Sequence, residues 1–259
     1  MNGRGLLFAA ALAGGWLSAP AEARTGGGTT TGADPDTAFT AGGIGIMSWK
    51  SPAMTVIRVP DTLSFLYLPR NNASVDSVAR GYGLRCLING SYFSGVRGDA
   101  SHAGLLCYHG RLLAPPLSDR QLTHVVRINS AAHRVDFFTA QSYVPAADPG
   151  LVEFQTGPLI IENGKIRKEL IDSSLNGRTK HARTLLATLD NRLCFFVTVT
   201  EKVGLYEIAG FLRRIDAFQK GKLDVVNLDG GSSVALYVRD ATAVNFNEAD
   251  RLPVLIGFH

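Results

Sequence analysis

Short apolar runs cut by turn dipeptides are what most limits how this chain can fold. Past residue 53, runs of β-branched, aliphatic and aromatic residues of strand length recur, separated by Asn89-Gly90, His109-Gly110, Asn163-Gly164, Asp190-Asn191 and Asp229-Gly230. Such turns accept the left-handed backbone of a tight hairpin, and such runs suit a pleated, half-buried surface. The pattern predicts strands at Met54–Val59 and Leu63–Leu68, read as a first pair, and at Leu84–Ile88. It predicts hairpins joining Leu105–Tyr108 to Arg111–Leu113, Val125–Asn129 to Val135–Thr139, Leu159–Ile161 to Lys165–Ile166, and Thr184–Leu189 to Leu193–Thr200. Val225–Leu228, Val234–Val238 and Pro253–Phe258 complete the strands. Two segments carry helical spacing instead. Ser74 can cap a short helix to Tyr82 in which Val75, Val78 and Ala79 share a face. Leu205, Ile208, Ala209, Leu212 and Ile215 make an apolar stripe in a helix over Leu205–Phe218, with Gly221 as its stop. Many strands with few helices predict the α+β class: a single domain with a mixed or antiparallel β-sheet core.

The first residues are of another kind. Met1–Ala23 has a basic start at Arg4, an apolar stretch from Leu6 to Leu17, and Ala21-Glu22-Ala23 as a small-x-small cleavage site. This reads as a cleaved signal peptide. The competing reading, a membrane anchor, needs roughly 20 apolar residues, which the stretch does not reach. Residues 24–43, rich in Gly, Thr, Ala and Asp, read as a flexible linker, which leaves 44–259 as the folded domain. The expected location is secreted or periplasmic, with no transmembrane segment in the mature chain. In that oxidising setting the three cysteines, Cys86, Cys107 and Cys194, allow at most one internal disulfide. The reading favoured here is three buried small hydrophobes. No Cys/His spacing matches a zinc pattern, and no metal or cofactor is expected. With 26 basic and 22 acidic residues the net charge is only +4, and no Lys/Arg run stands out, which argues against nucleic acid as a partner.

Five polar motifs stand at the ends of apolar strands. Asp229-Gly230-Gly231-Ser232-Ser233 places a carboxylate, two glycines and two hydroxyls at a strand end, where backbone N–H groups can form an anion-binding nest. A plain Asp-Gly hairpin turn is the alternative. Asn89-Gly90-Ser91-Tyr92-Phe93 and Gln155-Thr156-Gly157-Pro158 are weaker versions of the same design. His181-Ala182-Arg183-Thr184 opens a strand with an Arg whose planar fork suits phosphate or carboxylate. Thr200-Glu201-Lys202 adds an acid, read alternatively as the first turn of the following helix, where the helix dipole favours Glu201. A sheet can aim all five into one cleft.

The order of these motifs, from Asn89-Gly90-Ser91-Tyr92-Phe93 to Asn227-Leu228-Asp229-Gly230-Gly231, resembles the phosphodiester glycosidase domain family, which includes the lysosomal uncovering enzyme and many exported bacterial proteins. The likeness runs from about Met54 to Phe258 and looks most like the short bacterial branch. It implies hydrolysis of a sugar-1-phosphodiester at its glycosidic C–O bond, acting on envelope or extracellular glycan. Ordinary glycosidases use two carboxyl groups. A phosphate leaving group is already a weak base, so cationic stabilisation of its charge matters more than a general acid. On this reading Asp229 serves as base, nucleophile or oxocarbenium stabiliser, or else as a hydroxyl ligand, and Arg183 clamps the phosphate. Glu201 is a second carboxylate. Asn89, Tyr92, Thr156, Gly157, Gly230, Gly231, Ser232 and Ser233 contribute to substrate binding. Two other readings compete. One is a non-catalytic module binding glycan or sugar phosphate. The other is a serine hydrolase using Ser232 or Ser233, which lacks a Gly-x-Ser-x-Gly elbow.

Overall fold

The computed structural model describes residues 33–60, 63–146, 148–171, 177–247 and 250–259. The expected signal peptide at 1–23 and the start of the expected linker lie outside these residues.

With strands numbered in chain order, the large sheet runs β1 (Thr37–Ala41), β2 (Ile44–Lys50), β3 (Ala53–Arg58), β16 (Leu193–Val203), β15 (His181–Leu189), β17 (Leu223–Asn227), β13 (Leu159–Glu162), β14 (Lys165–Ile166). A second sheet runs β19 (Phe246–Asn247), β18 (Ala235–Val238), β5 (Cys86–Asn89), β20 (Val254–Phe258), β4 (Ser64–Tyr67). A third runs β11 (Arg134–Thr139), β10 (His124–Asn129), β12 (Leu151–Thr156), β8 (Leu106–Tyr108), β9 (Arg111–Ala114). β6 (Phe93–Val96) and β7 (Asp99–His102) pair only with each other. The strand pairings are antiparallel, as in β15 with β16 and β5 with β20. Among the described residues two α-helices join them, α1 (Val75–Gly81) and α2 (Leu205–Leu212).

Period-2 alternation sorts the side chains into layers. On β15 to β17, Leu186, Phe196 and Val226 face one way, where they join Ile88, Leu236, Ile256 and Phe258 of the second sheet in a common core. Leu185, Ala187, Phe195, Val197 and Val225 face the other way and are covered by Leu205, Ile208 and Leu212 of α2. The second sheet alternates likewise: Leu87, Tyr237 and Leu255 turn outward onto Val75, Val78 and Ala79 of α1. The order across the molecule is therefore helix, sheet, sheet, helix. The third sheet closes one side of the central core, with Phe154 stacked on Phe65 at 5.0 Å. A sheet covered on both faces needs apolar residues at both parities. That is why β15 reads as a continuous apolar run and is buried along nearly its whole length.

Most expected elements are present, with differences that have local causes. Ser74 caps α1 as the sequence indicates, its hydroxyl accepting from Ser77 N. The long helix expected over Leu205–Phe218 stops at Leu212. Its last turn tightens, Arg214 N and Ile215 N bonding back to Phe211 O and Leu212 O, and a 3-10 turn at Asp216–Gln219 still delivers Ile215 and Phe218 to the core. Thr200–Lys202 does not start a helix; β16 continues through it to Val203. β3 and β4, read as one pair, belong to different sheets. The expected linker at 24–43 is corrected in its second half. Thr37–Ala41 forms β1, a mostly exposed edge strand hairpinned to β2 through Gly42 and Gly43, both at positive φ. An edge strand open to solvent needs no apolar periodicity, so β1 was not visible as a repeat; β2, second in the sheet with Ile44 and Ile46 turned inward, is a further strand beyond those expected. All three cysteines are buried. Burial pushes the Cys86 thiol up and the Cys194 thiol up to about 12, which keeps them protonated and inert. No helix among the described residues is long and apolar enough to cross a membrane.

Phe196 is fully buried and packs its ring 5.8 Å from that of Phe258, across the two main sheets. Phe196→Ala should cost about 3–5 kcal/mol of stability. Urea unfolding should show a lower midpoint with an unchanged slope; a midpoint like the parent's would mean the two sheets do not depend on this contact.

Candidate active site

The chain leaves the large sheet at the end of β17 and enters the second sheet at β18, and Asp229–Ser233 is the crossing. Asp229 N bonds Gly90 O at 3.0 Å, and Asn89 Nδ2 donates to Asp229 O at 2.7 Å. Asn89 Oδ1 accepts from the Thr184 hydroxyl at 2.6 Å and from Ala235 N at 3.1 Å. Asn89 is thus committed to protein partners and holds the crossing in register. A 3-10 turn at Gly231–Ser233 completes the loop, with Gly231 at φ +60° and open space where a Cβ would stand.

Alternation aims the polar groups. Asn227 and Asp229 are two residues apart and share a side, while Leu228 between them is buried in the core. Asn227 Nδ2 donates to Tyr92 Oη at 2.5 Å and to Gly157 O at 3.2 Å, and Tyr92 Oη donates to the same carbonyl at 3.1 Å. The Thr156 hydroxyl donates to Asn227 O at 3.0 Å. Asn227 Oδ1 is buried without a partner among the described residues. Arg183, at the start of β15, is only 6 % exposed. It donates from Nε to Val203 O at 3.2 Å and from Nη2 to Thr179 O at 2.6 Å. A β-bulge opposite β16 lies between His181 and Arg183.

Tyr92, His181, Arg183, Asn227, Asp229, Gly230 and Gly231 line one cavity of about 190 Å³, with Gln121, Pro158 and Leu205 as its remaining walls. Burial pushes the Asp229 carboxyl up to about 6, against hydrogen bonds from Ser233 and Gly230 N and the charge of Arg97, which all favour the ionised form. Burial pulls the Arg183 guanidinium below its usual value. Neither group shifts the other, so they are not an ion pair. Tyr92, in the same cavity lining, feels both: burial raises its hydroxyl's pKa first, then Asp229 raises it and Arg183 lowers it. Among the described residues Arg183 has no carboxylate partner, and a buried cation in that state favours an anion in the cavity beside it.

A family model of phosphodiester glycosidases matches residues 82–258, a span that holds every one of these cavity residues. The chain belongs to the phosphodiester glycosidase family. No curated protein matches it. Three solved structures share the fold of this phosphodiester glycosidase family member. The zebrafish N-acetylglucosamine-1-phosphodiester α-N-acetylglucosaminidase catalytic domain, auto-inhibited by its pro-peptide, is 15 % identical with a TM-score of 0.55, over 86 % of this chain and 82 % of that one. A Burkholderia pseudomallei protein described as exported is 11 % identical with a TM-score of 0.54, over 83 % and 74 %. A hypothetical protein from Synechocystis is 14 % identical with a TM-score of 0.52, over 85 % of this chain and 60 % of that one.

Of the expected site residues, the structure brings Asp229, Arg183, Tyr92, Gly230 and Gly231 to the cavity. Asn89, Thr156 and Gly157 stand behind it and position Asp229 and Asn227. Ser233 turns its hydroxyl to the Asp229 carboxylate, and Ser232 faces Arg97 instead of the cavity. Neither has a histidine partner, so the serine hydrolase reading has no dyad here. The expected nest is reduced, because Gly230 N already donates to Asp229 Oδ1 at 2.9 Å. Glu201 does not reach the cavity: it sits in the exposed last part of β16, where its Oε2 accepts from Ala53 N at 3.0 Å. Asp229 is the one carboxylate among the described cavity-lining residues. Asn227 and His181 were missed as individual residues, although each stands two positions from a chosen one and the period of a strand would have found them. Gln121 has no sequence signal.

The folded Asp229 carboxyl, at about 6, lies above its ordinary 3.8. Between those values the folded state holds a proton that the unfolded chain has released, so this group makes stability fall as the pH rises from about 4 to beyond 6. Asp229→Asn lacks that loss. It should be more stable than the parent by about 3 kcal/mol at pH 8, and the difference should close near pH 4. Urea unfolding at the two pH values checks this.

Proposed function

We propose that this protein hydrolyses a sugar-1-phosphodiester at the glycosidic C–O bond. The bond between the anomeric carbon and the phosphate oxygen breaks, water supplies the new anomeric hydroxyl, and the leaving group departs as a phosphate monoester. The observation that carries this reading is the pairing, in one cavity, of a buried Arg183 that has no counterion among the described residues with an Asp229 carboxylate that it does not neutralise. A phosphodiester carries the charge Arg183 is missing. It also presents a sugar on the side where Asp229 can act on the anomeric carbon or on the attacking water.

Asp229 is the base or nucleophile of the scheme. At neutral pH a carboxyl with a pKa of about 6 is mostly ionised yet basic enough to accept a proton. Arg183 stabilises charge growing on the departing phosphate, held by the Thr179 and Val203 carbonyls in one orientation, so little reorganisation is needed as the bond breaks. Tyr92, held protonated by its surroundings, keeps its proton on the Gly157 carbonyl and its oxygen toward Asn227, and so fixes the wall they form. Asn227 Oδ1 is a spare acceptor on the same side. No second carboxylate is required, because the leaving phosphate departs without full protonation. We further propose that residues 1–23 direct export and that the enzyme works in the periplasm or outside the cell on envelope or extracellular glycan. The intact mass of the protein recovered outside the cytoplasm, ending the leader at Ala23, is the direct check.

Purified protein should release reducing sugar from members of a panel of sugar-1-phosphodiesters and nucleotide sugars. For substrates that are cleaved, kcat/KM should rise with pH through about 6 and level off above it, as an ionised Asp229 demands. Asp229→Asn should lose at least about a hundredfold in kcat. Arg183→Lys should lose substantially as well, since an ammonium cannot reproduce the planar fork. Binding of these compounds without release of sugar, by folded protein, would overturn catalysis and leave a glycan-binding or sugar-phosphate-binding module.

A further inference from the structure

The β6–β7 hairpin joins no other sheet, yet it is fastened at both ends to the walls of the active cavity. At its base the buried His102 ring meets Ser91 Oγ through Nε2, while Nδ1 faces Gly104 O at 3.0 Å. Ala103 N also bonds Tyr92 O at 2.9 Å, so the base is tied to a residue that lines the cavity with Asp229 and Arg183. At its tip, between glycines 95 and 98 at φ +95° and +92°, Arg97 extends to the crossing loop. Its Nη2 donates to Ser232 O at 2.8 Å and to Ser232 Oγ at 3.2 Å. The next residue, Ser233, donates its hydroxyl to the Asp229 carboxylate.

Both partners of Arg97 are neutral oxygens, so its charge is undiminished by them and reaches Asp229. Arg97 is absent from the cavity lining. It acts on the carboxylate from beyond the loop, whereas Arg183 and His181 of β15 and Tyr92 of the β5–β6 connection face Asp229 across the cavity. Asp119, in the loop before β10, acts on Tyr92. Around Arg97 itself stand Asp99, cross-strand from Val96, and Arg251, whose side chain approaches Gly98.

On the reading of Asp229 given above, we propose that Arg97 is a positioning residue for this carboxylate: it clamps the Gly231–Ser233 turn from the hairpin tip and presents a positive charge to Asp229 from outside the cavity. The hairpin is then a strap that couples the Tyr92 wall to the Asp229 wall.

The test is carbon-detected NMR titration of the Asp229 carboxyl, assigned by its loss in Asp229→Asn, in the parent, Arg97→Gln and Arg97→Lys. The midpoint should rise by about half a pH unit in Arg97→Gln, as loss of one nearby opposite charge requires. It should stay near the parent's in Arg97→Lys, which keeps the charge. The acid limb of kcat/KM on a cleaved sugar phosphodiester should move by the same amount, with KM unchanged at pH 8, where Asp229 is ionised in every variant. An unmoved midpoint in folded Arg97→Gln overturns the proposal. So does a midpoint in Arg97→Lys displaced as far as in the glutamine variant, which would make the role purely structural. If the midpoint moves as expected while the parent cleaves no sugar phosphodiester, the hold of Arg97 on Asp229 stands and the assigned reaction falls.

Discussion

Three hydrogen bonds to one buried amide decide whether this molecule has a site at all. The large and second sheets pack face to face, and nothing in face-to-face packing fixes one sheet's register against the other; apolar contacts alone tolerate sliding. Asn89 removes that freedom. It takes the Thr184 hydroxyl from the large sheet, the Ala235 N–H from the second sheet, and gives its own N–H to the Asp229 carbonyl in the crossing between them. An aspartate there would lose the donor, and a leucine would leave all three partners unsatisfied in the core, each at a cost of roughly 1–3 kcal/mol. The Asp229 loop is therefore placed by the same contact that places the sheets. This is why a loop rich in glycine and serine can hold a carboxylate steadily.

Within that frame the charges are kept apart on purpose of geometry. Had Asp229 and Arg183 formed a salt bridge, the carboxyl would lie below its ordinary pKa and the guanidinium above. Both lie on the opposite side, because burial acts on each and neither relieves the other. The folded protein bears two desolvated, unreconciled groups facing one small cavity. Such an arrangement costs stability and is offset by the surrounding core. Its consequence is chemical: a ligand carrying a negative charge at one end and an electrophilic carbon at the other satisfies both groups at once. Family membership names phosphodiester glycosidase chemistry, and the separation of the two charges gives a physical reason why this cavity suits it.

The strands were legible where apolar runs meet turn residues, as at Asn163-Gly164 and Asp190-Asn191, because both adopt the positive φ that those turns need. Asp229 and Arg183 were legible for a related reason: a charged residue at the end of a buried run is held by rigid backbone. What stayed hidden was structure held by few local signals. β1 is exposed on nearly all its residues, and the β6–β7 hairpin is a Ser- and Gly-containing ribbon fixed by Ser91, His102 and Arg97, contacts that are distant in sequence or buried at its base. Glu201 misled because an acid after an apolar run reads alike whether the strand ends or continues. Only the pairing of β16 with β3, which places Ala53 beside it, decides the matter.

The cavity is also divided into a part that cannot change and a part that can. A Cβ at Gly157 would stand 2.6 Å from Gln121 O, and one at Gly230 would stand 2.8 Å from Ala182 O, so backbone touches backbone at both places and neither side chain nor loop can yield. The wall carrying Gln121 is different. Residues 115–123 belong to no sheet and are tied down chiefly by Gln155, whose side chain accepts from Leu105 N and Leu117 N and donates to Leu117 O and Leu122 O. A single buried glutamine, helped by Asp119 Oδ1 accepting from Gln121 N and Leu122 N, thus anchors the loop's backbone and sets Gln121 at the cavity. On the proposed function, chemistry and selectivity then rest on different physical supports: Asp229 and Arg183 on sheet ends locked by close backbone packing, and the shape of the remaining wall on a loop pinned by Gln155.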